Sequence, residues 1–211
     1  MSSQVTAAAP SVWEGGGSPY AVNSKKFGMW LFIISDSLTF SALLFAYTYS
    51  RVSNPDWPKP FHFSPSIIFS SIMTFCLLTS SLTMVMAVHA MNHGRRKAAA
   101  GWILGTMAGG GAFVVLHLTE WLNLINNEHV TPFHNEWGVP LFGGTFFALT
   151  GLHMTHVIIG IIYLAIICQA VMRGKFKAED VEVSGLYWHF VDLVWMFIFP
   201  LVYLMSARVS G

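Results

Sequence analysis

GGTFFALTGLHMTHVIIGIIYL, residues 143–164, runs for 22 residues without a lysine, arginine, aspartate or glutamate. A helix of that length, rising about 1.5 Å per residue, crosses a hydrocarbon core of about 30 Å. The apolar run continues on both sides, from about Pro140 to Met172, long enough to tilt or to protrude. Four more runs of comparable character lie at about Lys26–Ser50, Ser64–Met91, Ala98–Ile125 and Ser184–Ala207. Ser24 is placed to cap the first, and Ser64-Pro65 supplies a cap followed by a first-turn proline for the second. Pro200 inside the last predicts a kink. The fold class expected is all-α, an integral membrane bundle of five transmembrane helices spanning residues 25–211. Residues 1–24, rich in Ser, Ala, Gly and Pro, read as a flexible tail with no secretory signal.

Composition supports lipid as the solvent. Hydrophobic residues make up 54% of the 211-residue chain and charged residues 10%, against about 25% charged in soluble domains. So few charges cannot cover a water-soluble globule of this size. A net charge of +1, with no basic arm, points away from a nucleic-acid partner. Cys76 and Cys168 each sit inside an apolar run and read as small buried hydrophobes, not as a disulfide or a thiolate metal site.

The cationic residues orient the bundle. With five spans, the N-terminus and the second and fourth loops share one side. That side carries Lys25, Lys26, Arg95, Arg96, Lys97, Arg173, Lys175 and Lys177, eight in all, and the other carries Arg51, Lys59 and Arg208. The excess places the N-terminus in the cytoplasm and the C-terminus outside. Gly101, Gly105 and Gly109, at four-residue spacing, are the expected packing face of the third helix, and Ser66, Ser70 and Thr74 form a similar ridge on the second.

Ionisable residues inside these runs are the candidate site. They are Asp36 in the first helix, His117 and Glu120 in the third, His153 and His156 in the fourth, and His189 and Asp192 in the fifth, with His89 near the end of the second. A charged group at mid-bilayer costs at least about 2.5 kcal/mol, so such residues face the bundle interior and pair. Counted along the helices, Asp36, His189 and Asp192 lie roughly 8–14 Å in from the cytoplasmic boundary, and His156 lies at about that level. An intramembrane cluster of Asp36 with His153 or His156, joined by His189 and Asp192, is therefore expected. His117 and Glu120 fall near the outer boundary as a separate polar pair. That spread in depth, and the lack of the Glu-x-x-His pattern of di-iron bundles, argue against a metal centre.

The same residues carry a resemblance. FGMWLFIISDSLTFSALLFAY (27–47), HLTEWLNL (117–124), the T-G-x-H-x-x-H-V-x-x-G pattern within 143–164 and YWHFVDLVWMFIFPLVYL (187–204) resemble, in order and spacing, subunit III of heme-copper respiratory oxidases. The resemblance is to the short, five-helix bacterial form of the cytochrome c oxidase subunit 3 family. It implies a non-catalytic subunit of a proton-translocating terminal oxidase in a bacterial plasma (inner) membrane. Heme and copper would then lie in partner subunits, with none bound by this chain. It also implies direct packing on oxidase subunit I, contact with other oxidase subunits, bound structural phospholipid, and support of proton uptake and turnover stability. Asp36 stands at the family's buried carboxyl, where cytochrome c oxidases often have Glu, and His117 stands where Gln is common. Asp36 and the closing Val202-Tyr203-Leu204-Met205 are closer to quinol oxidases. Cytochrome c oxidase is the expected complex, with quinol oxidase or a nitric oxide reductase accessory protein as alternatives.

Overall fold

A computed structural model describes residues 24–62, 67–133, 136 and 138–208. The expected tail, up to residue 23, and the Ser64-Pro65 cap lie outside the described residues, as does Ser66 of the small-polar ridge. Five helices among the described residues are long and apolar enough to span a membrane. They are α1 (Ser24–Val52), α2 (Ile68–Asn92), α3 (Arg96–Asn127), α4 (Pro140–Met172) and α5 (Ala178–Ile198).

Turn chemistry sets the helix ends. After α2, Gly94 takes φ +71°, and the amides of Gly94 and Arg95 bond back to the carbonyls of Met91 and Ala90 at 3.0 and 2.9 Å. After α4, Gly174 takes φ +72° and repeats the arrangement, with Gly174 and Lys175 bonding to Val171 and Ala170. Both ends satisfy carbonyls that the helix itself leaves open, in a left-handed conformation that glycine adopts without strain. The fifth helix starts at Ala178, six residues before the expected Ser184. Asp180 accepts the Lys177 amide at 2.9 Å, and Glu179 and Asp180 place negative charge on the first turn. This charged turn is helical because it is capped, so apolarity alone marks the start too late.

Four helices form a ring in which α2 meets α3, α3 meets α4, α4 meets α5 and α5 closes on α2, while α1 stands outside against α4 and α5. Only 6% of the apolar window of α1 is buried, against 50% for the last helix. Its inward stripe is Ile33, Phe40 and Tyr47 at seven-residue spacing. Ion pairs join its start to the start of α5, Lys25–Asp180 and Lys26–Glu182, each at 2.6 Å. These contacts gather the lysine-rich segments at one end of the bundle.

The packing glycines differ from expectation. A Cβ on Gly109 would meet Ser80 at 2.7 Å, so this glycine is where α2 and α3 approach closely. Gly105 has only ordinary contact with Thr83, and Gly101 faces open space. The expected three-glycine face is corrected accordingly: helices crossing at an angle touch over a short stretch, and a glycine beyond it meets nothing. Gly110 supplies the tightest contact on α3, because a Cβ there would overlap the Trp188 ring, which also lies against Gly160. Trp188 donates its indole N–H to Ser80 at 3.0 Å, and Trp195 donates to Thr74 at 2.9 Å.

At Pro200 the helical pattern changes rather than stopping. Phe199–Tyr203 form a wide π-type turn, Leu204–Ser206 tighten into a 3-10 turn, and Ala207–Arg208 pair in parallel with Phe61–His62. Proline lacks the amide that a regular turn requires, and the wider turn accommodates the loss.

Candidate functional site: intramembrane polar groups

The ionisable residues come together in four separate places. In the first, α1 presents Asp36 to α4, with Oδ2 lying 3.1 Å from Nε2 of His156. The separation is within hydrogen-bond range, but Oδ2 makes no well-aligned bond, so the contact is a bent, charge-type one. Nδ1 of His156 lies 2.9 Å from the Leu152 carbonyl. A carbonyl can only accept, so Nδ1 carries a hydrogen. With Nδ1 turned to the Leu152 carbonyl, Nε2 is the imidazole nitrogen that faces the carboxyl. Phe40 closes over His156 with ring centres 5.2 Å apart, and the Tyr187 hydroxyl donates to the His156 carbonyl at 3.0 Å.

His153 does not join Asp36. It is fully buried and stacks on Trp195 at 5.1 Å, with Phe113 edge-on at 5.7 Å. His117 packs on the same two rings, stacked on Phe113 at 5.5 Å and edge-on to Trp195 at 5.5 Å. Neither imidazole has a hydrogen-bond partner among the described residues. Depth counting along separate helices put His117 out of reach of the α4 histidines. The structure corrects this, since Phe113 and Trp195 bring His117 and His153 around one aromatic core.

Glu120 does not pair with His117 either. Three residues along a helix advance about 300°, so two side chains on one face still diverge by about 60°. Glu120 instead takes hydrogen bonds from Ser70 at 2.6 Å and Tyr203 at 2.9 Å. It also borders a cavity of about 280 Å³ with Phe61, Phe69 and Asn123, at the end away from the lysine-rich segments.

His189 and Asp192 turn toward α2 rather than α1, which removes them from the expected cluster with Asp36. Ser81 lies 2.7 Å from Nδ1 of His189. The physical reason is the bundle layout: α5 meets α1 on one side and α2 on the other, and the His189 face is the α2 side. Ser81, Ser70, Tyr203 and Trp195 were not among the candidate residues. The signal in the sequence is the run of hydroxyls in α2, of which the expected ridge of Ser66, Ser70 and Thr74 is one part. Among the described residues, no three His, Cys, Asp or Glu side chains gather into a group fit to hold a metal ion.

These groups lie in a chain with many relatives. A sequence model of the family described as cytochrome c oxidase subunit III matches residues 8–207. The chain belongs to the cytochrome c oxidase subunit III family. It is 32% identical over 188 residues to cytochrome c oxidase subunit 3 of Alkalihalophilus pseudofirmus, covering 87% of this chain and 88% of that one. It is 35% identical over 184 residues to quinol oxidase subunit 3 of Bacillus spizizenii, covering 85% and 86%. Cytochrome c oxidase subunit 3 of Hippopotamus amphibius is 31% identical over 203 residues, covering 92% of this chain and 74% of the relative. With its five spans and this membership of the subunit III family, the chain is a multi-pass membrane protein and a subunit of a terminal oxidase complex. The matched range contains all four polar groups.

Proposed function

We propose that this chain is the non-catalytic subunit III of a bacterial terminal oxidase that takes electrons from cytochrome c. It packs on the catalytic subunit I, holds phospholipid, and sustains proton uptake during turnover, while heme and copper are carried by partner subunits. The observation that carries the reading is the Asp36–His156 contact, a partly exposed carboxyl and imidazole that meet at 3.1 Å between α1 and α4 at the edge of the bundle. Such a pair can exchange a proton with little change in net charge as long as a neighbour supplies and removes it. The gathering of Lys25, Lys26, Arg95, Arg96, Lys97, Arg173, Lys175 and Lys177 at one end supports a cytoplasmic N-terminus and an outward C-terminus in the plasma membrane.

A quinol oxidase is the second reading, favoured by the relatives of that description at 35% and 34% identity and by aspartate at position 36. The test is electron-donor dependence of the purified complex. Oxygen consumption driven by reduced cytochrome c supports the first reading, and consumption driven only by a quinol replaces it with the second.

A further inference from the structure

Three helices meet at the Asp36–His156 contact, and Tyr187 of α5 touches both of the others there. Its hydroxyl donates to the backbone carbonyl of His156 at 3.0 Å. Its ring centre lies 5.9 Å from that of Phe32, one turn before Asp36 on the same face of α1. One phenol thus holds the residue that carries the imidazole and rests on the helix that carries the carboxyl.

The reach to α4 depends on Gly160. A helical carbonyl accepts the amide four residues on with one lone pair and keeps a second. For His156 that amide belongs to Gly160, and the second lone pair takes the Tyr187 hydroxyl. A Cβ on Gly160 would stand 3.1 Å from Cε1 of Tyr187 and 3.0 Å from the Trp188 ring, tighter than ordinary contact. The bare backbone of Gly160 therefore lets the phenol come in against α4.

Once that stretch of α4 is held, the imidazole has little freedom left. Nδ1 of His156 lies 2.9 Å from the Leu152 carbonyl, one turn back, and Phe40 covers the ring at 5.2 Å. The ring is thus tied to its own helix, and its distance to Asp36 is set by where α4 stands against α1. At 3.1 Å, the contact between Nε2 and Oδ2 is lost after a shift of about 0.5 Å.

We infer that Tyr187 is a positioning residue for the Asp36–His156 pair: through the His156 carbonyl and Phe32 it holds α4 and α1 at the separation that brings imidazole and carboxyl together. The inference rests on the part proposed for that pair in sustained turnover, and adds how the fifth helix sets it.

The test follows oxygen consumption by the assembled oxidase over many turnovers. Tyr187→Phe keeps the ring against Phe32 and removes the bond to the carbonyl. It should assemble, start at the parental rate and then lose activity about fivefold faster than the parent, the factor that one net hydrogen bond corresponds to. Tyr163→Phe removes a hydroxyl from the ring that stands edge-on to Tyr187 at 6.2 Å, and should match the parent. In an Asp36→Asn background, Tyr187→Phe should add nothing to the decline, because the carboxyl through which it acts is already gone. A merely structural tyrosine would add its effect there. An additive loss in the double variant, an equal loss in Tyr163→Phe, or a parental time course for Tyr187→Phe overturns the positioning role. A parental time course for Asp36→Asn removes the pair itself from turnover, and the proposed function then falls together with the inference. That outcome is distinct from Tyr187→Phe failing beside an effective Asp36→Asn.

Discussion

Asp36 and His156 show how little a single residue settles alone and how much a pair does. Either side chain alone in hydrocarbon would carry the full cost of burial, whereas each lowers that cost for the other when the two meet at 3.1 Å. Asp36→Asn keeps a group that bonds to the imidazole, so the variant should fold, assemble and start turnover at the normal rate. Oxygen consumption over many turnovers should then decline faster than in the parent, as an amide cannot exchange a proton. An unchanged time course would remove proton exchange from the role of Asp36. Replacing the imidazole instead, His156→Phe, leaves a buried carboxyl unpaired and should lower stability by about 1–3 kcal/mol, read as the unfolding midpoint in detergent. Glu120 provides a second case at this scale. Tyr203→Phe removes one of its two donors and should cost a similar about 1–3 kcal/mol. Ser70→Ala should do likewise, and removing both should cost more than either alone.

At the scale of helices, much was legible in the sequence, because hydrophobic length is a property of each span alone. The five spans and the change of pattern at Pro200 follow from local chemistry. The start of α5 was missed because capping by Asp180, not apolarity, begins that helix. What no single span reveals is which neighbour each face meets. The i, i+3 spacing of His117 and Glu120 says they share a face, but Phe113 and Trp195 claim one while Ser70 and Tyr203 claim the other. The same limit applies to the glycines, where a regular four-residue interval pointed to Gly101 and the Trp188 contact instead selects Gly110. Gly110→Ala forces its methyl group into a rigid indole and should destabilise by about 1–3 kcal/mol. Gly101→Ala, in open space on a helix, should be neutral or stabilise by up to about 1 kcal/mol. Thermal unfolding of the two variants side by side checks the ordering, and a larger loss for Gly101→Ala would mean that α3 packs on its other face.

For the whole molecule, the five spans among the described residues, α2 to α5 in a ring with α1 at its edge, predict that the two ends of the bundle lie on opposite sides of the membrane. Tags at the N- and C-terminus, probed with an impermeant reagent in sealed cells, should be respectively protected and accessible, and accessibility of both would end the five-span topology. The central claim is that this chain serves a terminal oxidase without holding its redox centres, and copurification with metal analysis tests it most directly. The chain is captured from native membranes in mild detergent through a C-terminal tag, and heme, iron and copper are measured in the intact assembly and again after this subunit is separated. The account predicts oxidase activity and heme absorbance in the assembly, with metal near zero on the separated chain. Stoichiometric iron or copper remaining on the separated chain, or capture of the chain with no heme-bearing partner, would contradict it.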